Sequence, residues 1–254
     1  MGRFYYVGQN LPSMATETLA RIAVVLSRTS HPGNIGAAAR AMKTMGVADL
    51  RLVQPRHFPD PDARAMAAGA SDVLDAACVF DSLAAALQDR VLCVGFSARA
   101  RAISHPVETL REVAAGIVSA ARAGPVALVF GNETSGLSND ELSRCQRLCA
   151  IPANPAYSSL NLGAAVQVAC YEIATAATAF AAPAGGAGTP ATGEDLEGLF
   201  AHLESSAHAS GYVDPATPGR FMERMRRLFA RTGLEREEVK LLRGLLGAWD
   251  SKPK

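Results

Sequence analysis

The sequence predicts an α/β fold in which helices cover a parallel sheet, followed by a small C-terminal helical domain. Short apolar runs bounded by turn residues recur before residue 155, and alanine-rich segments of helical length lie between them. Strands that are apolar on both faces are typical of parallel sheets with helices on both sides. Beyond residue 193, apolar residues recur with a helical period only.

Five strands and four parts of the chain follow from this pattern. The strands are predicted at 22–27, 50–55, 91–96, 126–131 and 148–152. The segment AAPAGGAGTPATG contains no large apolar residue, which is typical of a flexible linker. The predicted parts are an N-terminal extension at 1–20, an α/β domain at 21–180, a linker at 181–193 and a helical domain at 194–254.

The composition excludes several classes of protein. The apolar runs are shorter than the roughly 20 residues that span a bilayer, so no membrane segment is predicted. The five cysteines are odd in number and lie among alanines and valines, which favours reduced, buried thiols in a cytoplasmic protein. Cys145 and Cys149 have no second cysteine or histidine pair at zinc-binding spacing, so no metal site is predicted. The net charge of +1 does not by itself indicate a nucleic-acid partner.

The first polar motif, SHPGNIGAAARAMKTMG at 30–46, links the first predicted strand to a helix. It matches neither the P-loop nor the dinucleotide-binding glycine pattern. It predicts a tight turn that places Asn34 near the start of the helix and Arg40 about two turns along it. On this evidence Asn34 is either a functional side chain or only the residue that caps the helix.

The second polar motif, FGNETSGLSNDE at 130–141, follows the fourth predicted strand. Gly131 and Gly136 permit close backbone approach, and Glu133 lies between them. Loops at the carboxyl ends of parallel strands are where such sheets bind ligands. Glu133 is therefore a candidate functional residue.

The third polar motif, NPAYSSLNL, leads into the most apolar helix of the chain. Ser158, Ser159 and Asn161 crowd the start of this helix, where one capping side chain would suffice. The loop GFSARAR at 95–101 follows another strand. Together the loops offer backbone donors and small residues with few charges, which suits a neutral or zwitterionic small molecule.

Four arginines of the C-terminal region recur at helical spacing. They are Arg220, Arg224, Arg227 and Arg231, which fall on one face of a helix. This stripe is either a solvated surface or a row of phosphate contacts.

Three of these patterns together resemble the motifs of the SPOUT, or trefoil-knotted, RNA 2′-O-methyltransferases. The motifs are NIGAAARAM at 34–42, FGNETSGLS at 130–138 and SSLNLGAAVQ at 158–167. Within that superfamily the chain is most similar to the TrmJ type, which methylates ribose 32 (C or U) of the tRNA anticodon loop. Asn132 stands where this type often carries arginine, as it does in relatives that act on a D-loop guanosine.

The resemblance implies a homodimer, a C-terminal trefoil knot and S-adenosylmethionine (SAM) as cofactor. The implied cofactor-binding residues are Phe96, Ser97, Ala98, Gly131, Ile151, Ser158, Ser159 and Leu160. The implied catalytic arginine is Arg40, supported by Asn34, Glu133, Ser159 and Asn161. The arginines expected to contact tRNA are Arg28, Arg56, Arg64, Arg99, Arg101, Arg224 and Arg227.

Arg40 is expected to act as a cation rather than as a base. Guanidinium groups keep their proton in proteins. A charged Arg40 would grip the adjacent phosphate and stabilise the developing alkoxide, while the phosphate or a water takes the proton. Two other functions stay open, namely methylation of another RNA ribose (a D-loop guanosine or the wobble position) and non-catalytic RNA binding.

Overall fold

The computed structural model describes residues 13–97, 107–154, 156–179, 188–216 and 219–251. The described strands are β1 (Ile22–Ser27), β2 (Asp49–Val53), β3 (Cys78–Phe80), β4 (Leu92–Phe96), β5 (Val107–Thr109), β6 (Val126–Phe130) and β7 (Arg147–Ala150). The described helices of the α/β part are α1 (Ser13–Leu19), α2 (Pro32–Thr44), α3 (Pro61–Ala67), α4 (Ser71–Asp75), α5 (Leu83–Leu87), α6 (Leu110–Ala123), α7 (Asn139–Ser143) and α8 (Leu162–Ala179). The C-terminal helices are α9 (Gly193–Ala209), α10 (Phe221–Ala230) and α11 (Arg236–Asp250).

The strands form one sheet in the order β3-β2-β1-β6-β4-β7-β5, and every pair in it is parallel. The direction of the connections reverses between β1 and β6, which are neighbours in the sheet. Such a reversal opens a crevice at the carboxyl ends of the strands, where α/β proteins bind ligands. The predicted α/β class, with a parallel sheet and C-terminal helices, is confirmed.

Helices cover both faces of the sheet, as the two-sided apolar strands predict. All six residues of β1 are buried. Val24 and Leu26 face a core that includes α2, α6 and α8, whereas Val25 faces a second core built on α5 and α7. Burying both faces of the central strands fixes their register and therefore the position of the loops that follow them.

The predicted N-terminal extension is part of the folded domain over its described residues. Ala15 and Leu19 of α1 are buried in the core formed with α8. The predicted extension is therefore packed against the α/β part over Ser13–Leu19, and its boundary at residue 20 stays a prediction. Residues 1–12 lie outside the described part.

The second half of the predicted linker packs against the C-terminal helices. Ala191 is buried, and its amide donates to the carbonyl of Leu234. The amides of Gly193 and Glu194 donate to the carbonyls of Arg90 (2.7 Å) and Gln88 (2.9 Å), so the start of α9 is attached to the α/β part by backbone hydrogen bonds. Residues 181–187 lie outside the described part.

Four cysteines are buried and all five are unpaired. Burial raises the pKa of the Cys170 thiol to about 12, which keeps it protonated and unreactive. The helices in the described ranges are all too short or too polar to cross a membrane. Residues 98–106 lie outside the described part, and the knot stays an implication of the resemblance.

Candidate active site

The loops after β4, β6 and β7, with the start of α8, enclose a hollow of about 140 Å³. Seven of the eight residues predicted to bind the cofactor line it, namely Phe96, Ser97, Gly131, Ile151, Ser158, Ser159 and Leu160. The eighth, Ala98, lies outside the described residues. The sheet order explains this convergence, because β4 lies between β6 and β7 and their carboxyl ends share one edge.

Two stacked aromatic rings form the apolar side of the hollow. Phe96 ends β4 and Phe130 ends the neighbouring β6, and their ring centroids are 4.4 Å apart at an interplanar angle of 12°. Both side chains are buried. The two strands are parallel neighbours in the sheet, which places the rings side by side at its carboxyl edge.

The loop after β6 folds back on itself at Gly131. A Cβ atom at this position would lie 2.2 Å from the carbonyl carbon of Gly136 and from the amide nitrogen of Leu137. The Gly136 amide donates to the Asn132 carbonyl at 2.7 Å and closes the turn. The Asn132 side chain donates to the Arg28 carbonyl at 2.8 Å, which anchors the loop to the end of β1.

Glu133 accepts four hydrogen bonds around the start of α2. The donors are the Ser30 amide (2.9 Å), the Ser30 hydroxyl (2.7 Å), the His31 amide (3.2 Å) and the Asn34 side-chain amide (2.9 Å). Burial alone would raise the pKa of Glu133, but the hydrogen bonds from Asn34 and Ser30 outweigh it and lower the pKa to about 2. A charged carboxylate thus stands at the N-terminus of α2, where the helix dipole favours negative charge.

A chain of side-chain amides joins this carboxylate to the start of α8. The Asn161 side-chain nitrogen donates to the Asn34 Oδ1 atom at 2.9 Å, and the Asn34 side-chain nitrogen in turn donates to Glu133. The side-chain oxygen of Asn161 caps α8, accepting from the Gly163 amide at 2.9 Å. The capping role left open for Asn34 is wrong, because the N-cap residue of α2 is His31. The His31 side chain makes no capping hydrogen bond.

Arg40 lies on the exposed surface of α2 and does not line the hollow. It is six residues beyond Asn34, which is about 9 Å along a helix. Its side chain makes no hydrogen bond or ion pair with any residue of the described ranges. The guanidinium is therefore available to a ligand at the surface, and the single chain does not bring it together with the predicted cofactor residues.

Comparison with known proteins decides the family. A family model described as the SpoU rRNA Methylase family matches residues 21–171. The chain belongs to the SpoU methylase family. A second model, described as the C-terminal domain of tRNA methyltransferase TrmJ, matches residues 194–254. The resemblance stated from the sequence motifs is confirmed, and so is the enzyme class, a methyltransferase.

The relatives of this SpoU methylase match it over most of its length. The tRNA (cytidine/uridine-2′-O-)-methyltransferase TrmJ of Cronobacter sakazakii is 47% identical and covers 92% of this chain and 97% of its own. The tRNA (cytidine/uridine/adenosine-2′-O-)-methyltransferase TrmJ of Pseudomonas aeruginosa is 46% identical, covering 90% and 93%. The crystal structure of TrmJ from Z. mobilis superposes with a TM-score of 0.78 at 34% identity, covering 90% and 99%.

The hollow of this SpoU methylase suits SAM, the methyl donor of the family. Glu133 is the one charged side chain among the described residues that line it, and the rest of these are apolar, hydroxyl or amide groups. A single carboxylate beside an otherwise neutral surface fits a ligand that carries a positive sulfonium. The absence of a side chain at Gly131 lets the backbone of residues 136 and 137 pack directly against it, which shapes this side of the hollow.

The arginines predicted to contact RNA are placed differently from one another. Arg28 is exposed and has a φ of 53°, in the left-handed region that side-chain-bearing residues rarely adopt. Arg64 is bound to Asp75 in a surface ion pair. Arg224 is exposed, whereas Arg227 is half-buried. Arg56 is exposed, and Arg99 and Arg101 lie outside the described residues.

Sequence reasoning missed the backbone donors that hold Glu133. The amides of Ser30 and His31 bind it directly, yet neither residue was a candidate. A signal was present, because SHPGN places proline in the first turn of a helix, and backbone amides at a helix N-terminus readily bind an anion. Thr134 and Ser135, which also line the hollow, belong to the second motif but were not assigned a role.

Glu133→Gln is expected to lower the free energy of unfolding by about 2 kcal/mol at neutral pH, the scale of hydrogen bonds to a charged group. The folded-state pKa of Glu133 is about 2, below its ordinary value of 4.5. Its stabilising effect is therefore present above about pH 4.5 and is lost as the pH falls towards 2. Urea unfolding at about pH 7 and about pH 3 should show a smaller difference between wild type and variant at the lower pH. Glu204→Gln, on the exposed face of α9, is the control, and an equal difference at both pH values would contradict the prediction.

Proposed function

We propose that this chain transfers the methyl group of SAM to a ribose 2′-hydroxyl of tRNA, at nucleotide 32 of the anticodon loop. The observation that carries the proposal is the series of side-chain hydrogen bonds from Asn161 through Asn34 to Glu133. This series lies beside the hollow formed by the loops of three motifs. The names of the curated relatives, which are tRNA 2′-O-methyltransferases, support tRNA as the acceptor. The match of the last helices to the TrmJ C-terminal domain supports it independently.

The lining residues would hold SAM through backbone groups and hydroxyls. Gly131 and Ile151 offer backbone, Ser158 and Ser159 offer hydroxyls, and Phe96 offers an apolar surface. When bound, SAM supplies a methyl group already activated by its sulfonium. What remains for the protein is to align the acceptor and to stabilise charge as the hydroxyl loses its proton, and alignment alone supplies effective molarities of about 10⁵ to 10⁸ M.

Arg40 is the residue we assign to the acceptor. It is exposed and makes no ion pair within the described residues, so its planar fork can bind a phosphate oxygen and the developing alkoxide together. The proton passes to the phosphate or to a water, because a guanidinium does not accept it. Asn34, Glu133, Ser159 and Asn161 keep the loops in position around this exchange.

Four further parts of the proposal concern the tRNA contacts, the oligomeric state, the compartment and the metal content. Arg28, Arg99, Arg101, Arg224 and Arg227 are proposed to contact tRNA phosphates. The enzyme is proposed to work as a homodimer, and light scattering during size-exclusion chromatography would test this by measuring the molar mass. Reduced cysteines, four of them buried, fit a cytoplasmic enzyme. No group of three candidate metal ligands occurs in the described part, and the proposed chemistry uses none.

Mass spectrometry of nuclease-digested tRNA tests the proposal directly. Unmodified tRNA incubated with the protein and SAM should gain one ribose methyl group at nucleotide 32. Fragment mapping separates this product from methylation of a D-loop guanosine or of the wobble ribose. The curated relatives differ in accepting adenosine, so transcripts with C, U or A at this position also define the base preference. A protein that binds tRNA and SAM but yields no methylated nucleoside would refute the proposal.

A further inference from the structure

An open cleft of about 490 Å³ lies on the C-terminal helices, away from the hollow. The connection after α9 forms one wall and the first turns of α10 form the other. Tyr212, Asp214, Arg220, Phe221 and Arg224 are among its lining residues. None of the residues that line the SAM hollow takes part in it.

An exposed tyrosine dominates one wall of the cleft. Tyr212 is 78% exposed, although large aromatic side chains usually bury most of their surface. It contacts Phe221 edge to face, with ring centroids 5.7 Å apart and an interplanar angle of 69°. This contact fixes the orientation of the Tyr212 ring and leaves most of its surface open, which is the geometry of a stacking platform.

The charges of the cleft leave one guanidinium available. Arg220 is paired with Glu223 through two hydrogen bonds of 2.5 and 2.7 Å. The Asp214 carboxylate accepts from the Ala216 amide at 2.9 Å. Arg224 lies on the α10 wall and is exposed, and its side chain makes no hydrogen bond or ion pair with another described residue. An open aromatic ring beside such a cation matches a base joined to a phosphate.

We propose that this cleft binds one unpaired nucleotide of the tRNA, with its base stacked on Tyr212 and its phosphate on Arg224. The inference rests on the proposed function, which brings tRNA to this surface. An unpaired nucleotide fits because bases within a duplex are already stacked on both faces. RNA is favoured over an acidic peptide because Arg231 continues the positive charge along α10 beyond the cleft, as a phosphate backbone requires.

Substitution of the platform tests the proposal on the full chain. Tyr212→Ala should weaken binding of fluorescently labelled tRNA by about fivefold to a hundredfold, the range expected for loss of one base–aromatic stack. Tyr212→Phe keeps the ring and should bind within about twofold of wild type. In methylation assays Tyr212→Ala should raise the KM for tRNA and leave kcat and SAM affinity unchanged, which separates a binding role from a structural one.

Substitution of the cation gives a second readout. Arg224→Ala should reduce the slope of log K against log salt by about 0.7, the contribution of one phosphate contact on single-stranded RNA. Lys240→Ala on α11 removes the same charge from a residue paired with Glu237 and outside the cleft, and should leave the slope unchanged.

Wild-type affinity of Tyr212→Ala for tRNA would overturn the proposal. It would also be overturned if a Glu/Tyr copolymer displaced bound tRNA equally well from wild type and from Arg224→Ala. Failure of the proposed function would give a different result, because wild-type protein would then yield no methylated nucleoside. That result does not depend on how Tyr212→Ala affects RNA affinity. Thermal unfolding of each variant checks that the fold is intact, which is expected because Tyr212 and Arg224 are exposed.

Discussion

Arg40→Lys is expected to reduce kcat for methyl transfer by about a hundredfold or more while the affinity for SAM stays within about twofold of wild type. The loss follows from geometry, because an ammonium is a point charge and cannot bind a phosphate oxygen and a second oxygen in one plane. Removal of one preorganised donor from a developing oxyanion has effects of this size. SAM binding survives because Arg40 does not line the hollow.

Calorimetric titration with SAM and single-turnover methylation of tRNA measure the two quantities separately. Arg111→Lys is the matched control, since Arg111 is highly exposed on α6 and paired with Glu172. This control should keep wild-type turnover. A fully active Arg40→Lys enzyme would show that the planar fork plays no part in the reaction.

Gly131→Ala is expected to weaken SAM binding by about tenfold to a hundredfold. This range corresponds to the free-energy cost of adding a methyl group where the surrounding atoms leave no room for it. The new Cβ would fall 2.2 Å from two backbone atoms of residues 136 and 137. Backbone cannot yield there without opening the turn that Gly136 closes onto Asn132. Opening that turn displaces Glu133 as well, so methyl transfer should fall with the affinity.

Gly244→Ala provides the control for this substitution. Gly244 lies within α11, and a Cβ at this position would meet nothing within 4 Å. Alanine there should leave SAM affinity unchanged and stabilise the helix by up to about 1 kcal/mol. Calorimetric titration compares the two variants, and equal SAM affinity in both would mean that the loop after β6 does not shape the cofactor site.

The parts of the fold with a strong apolar signal could be predicted from the sequence. The boundaries of β1 agree with the prediction because all six of its residues are buried and apolar or small. The strands β3 and β5 were missed. Each has three residues at an edge of the sheet. β5 reads VET and contains no apolar run, and β3 reads CVF, an apolar stretch of only three residues that is partly exposed. Strand order is set by crossovers that periodicity does not encode.

The sequence predicted which residues line the site but not which hydrogen bonds join them. Ser158 and Gly131 were assigned to one pocket through the family motifs, and they do line one hollow. The hydrogen-bond donors to Glu133 could not be predicted, because two of them are backbone amides that lie about 100 residues away in the sequence. The position of Arg40 on the outer surface of α2 also depends on how the helix is rotated against α8, which the sequence pattern does not specify.

The backbone hydrogen bonds from Gly193 and Glu194 to Arg90 and Gln88 have a consequence for how large an RNA the enzyme needs. A helical unit attached in this way would hold the proposed nucleotide cleft at a set separation from the proposed site of methyl transfer. Full-length tRNA that reaches both places binds the second one intramolecularly, at a high effective concentration. A short stem-loop that reaches only one loses this avidity, so we expect the protein to discriminate between RNAs by their span as well as by their sequence.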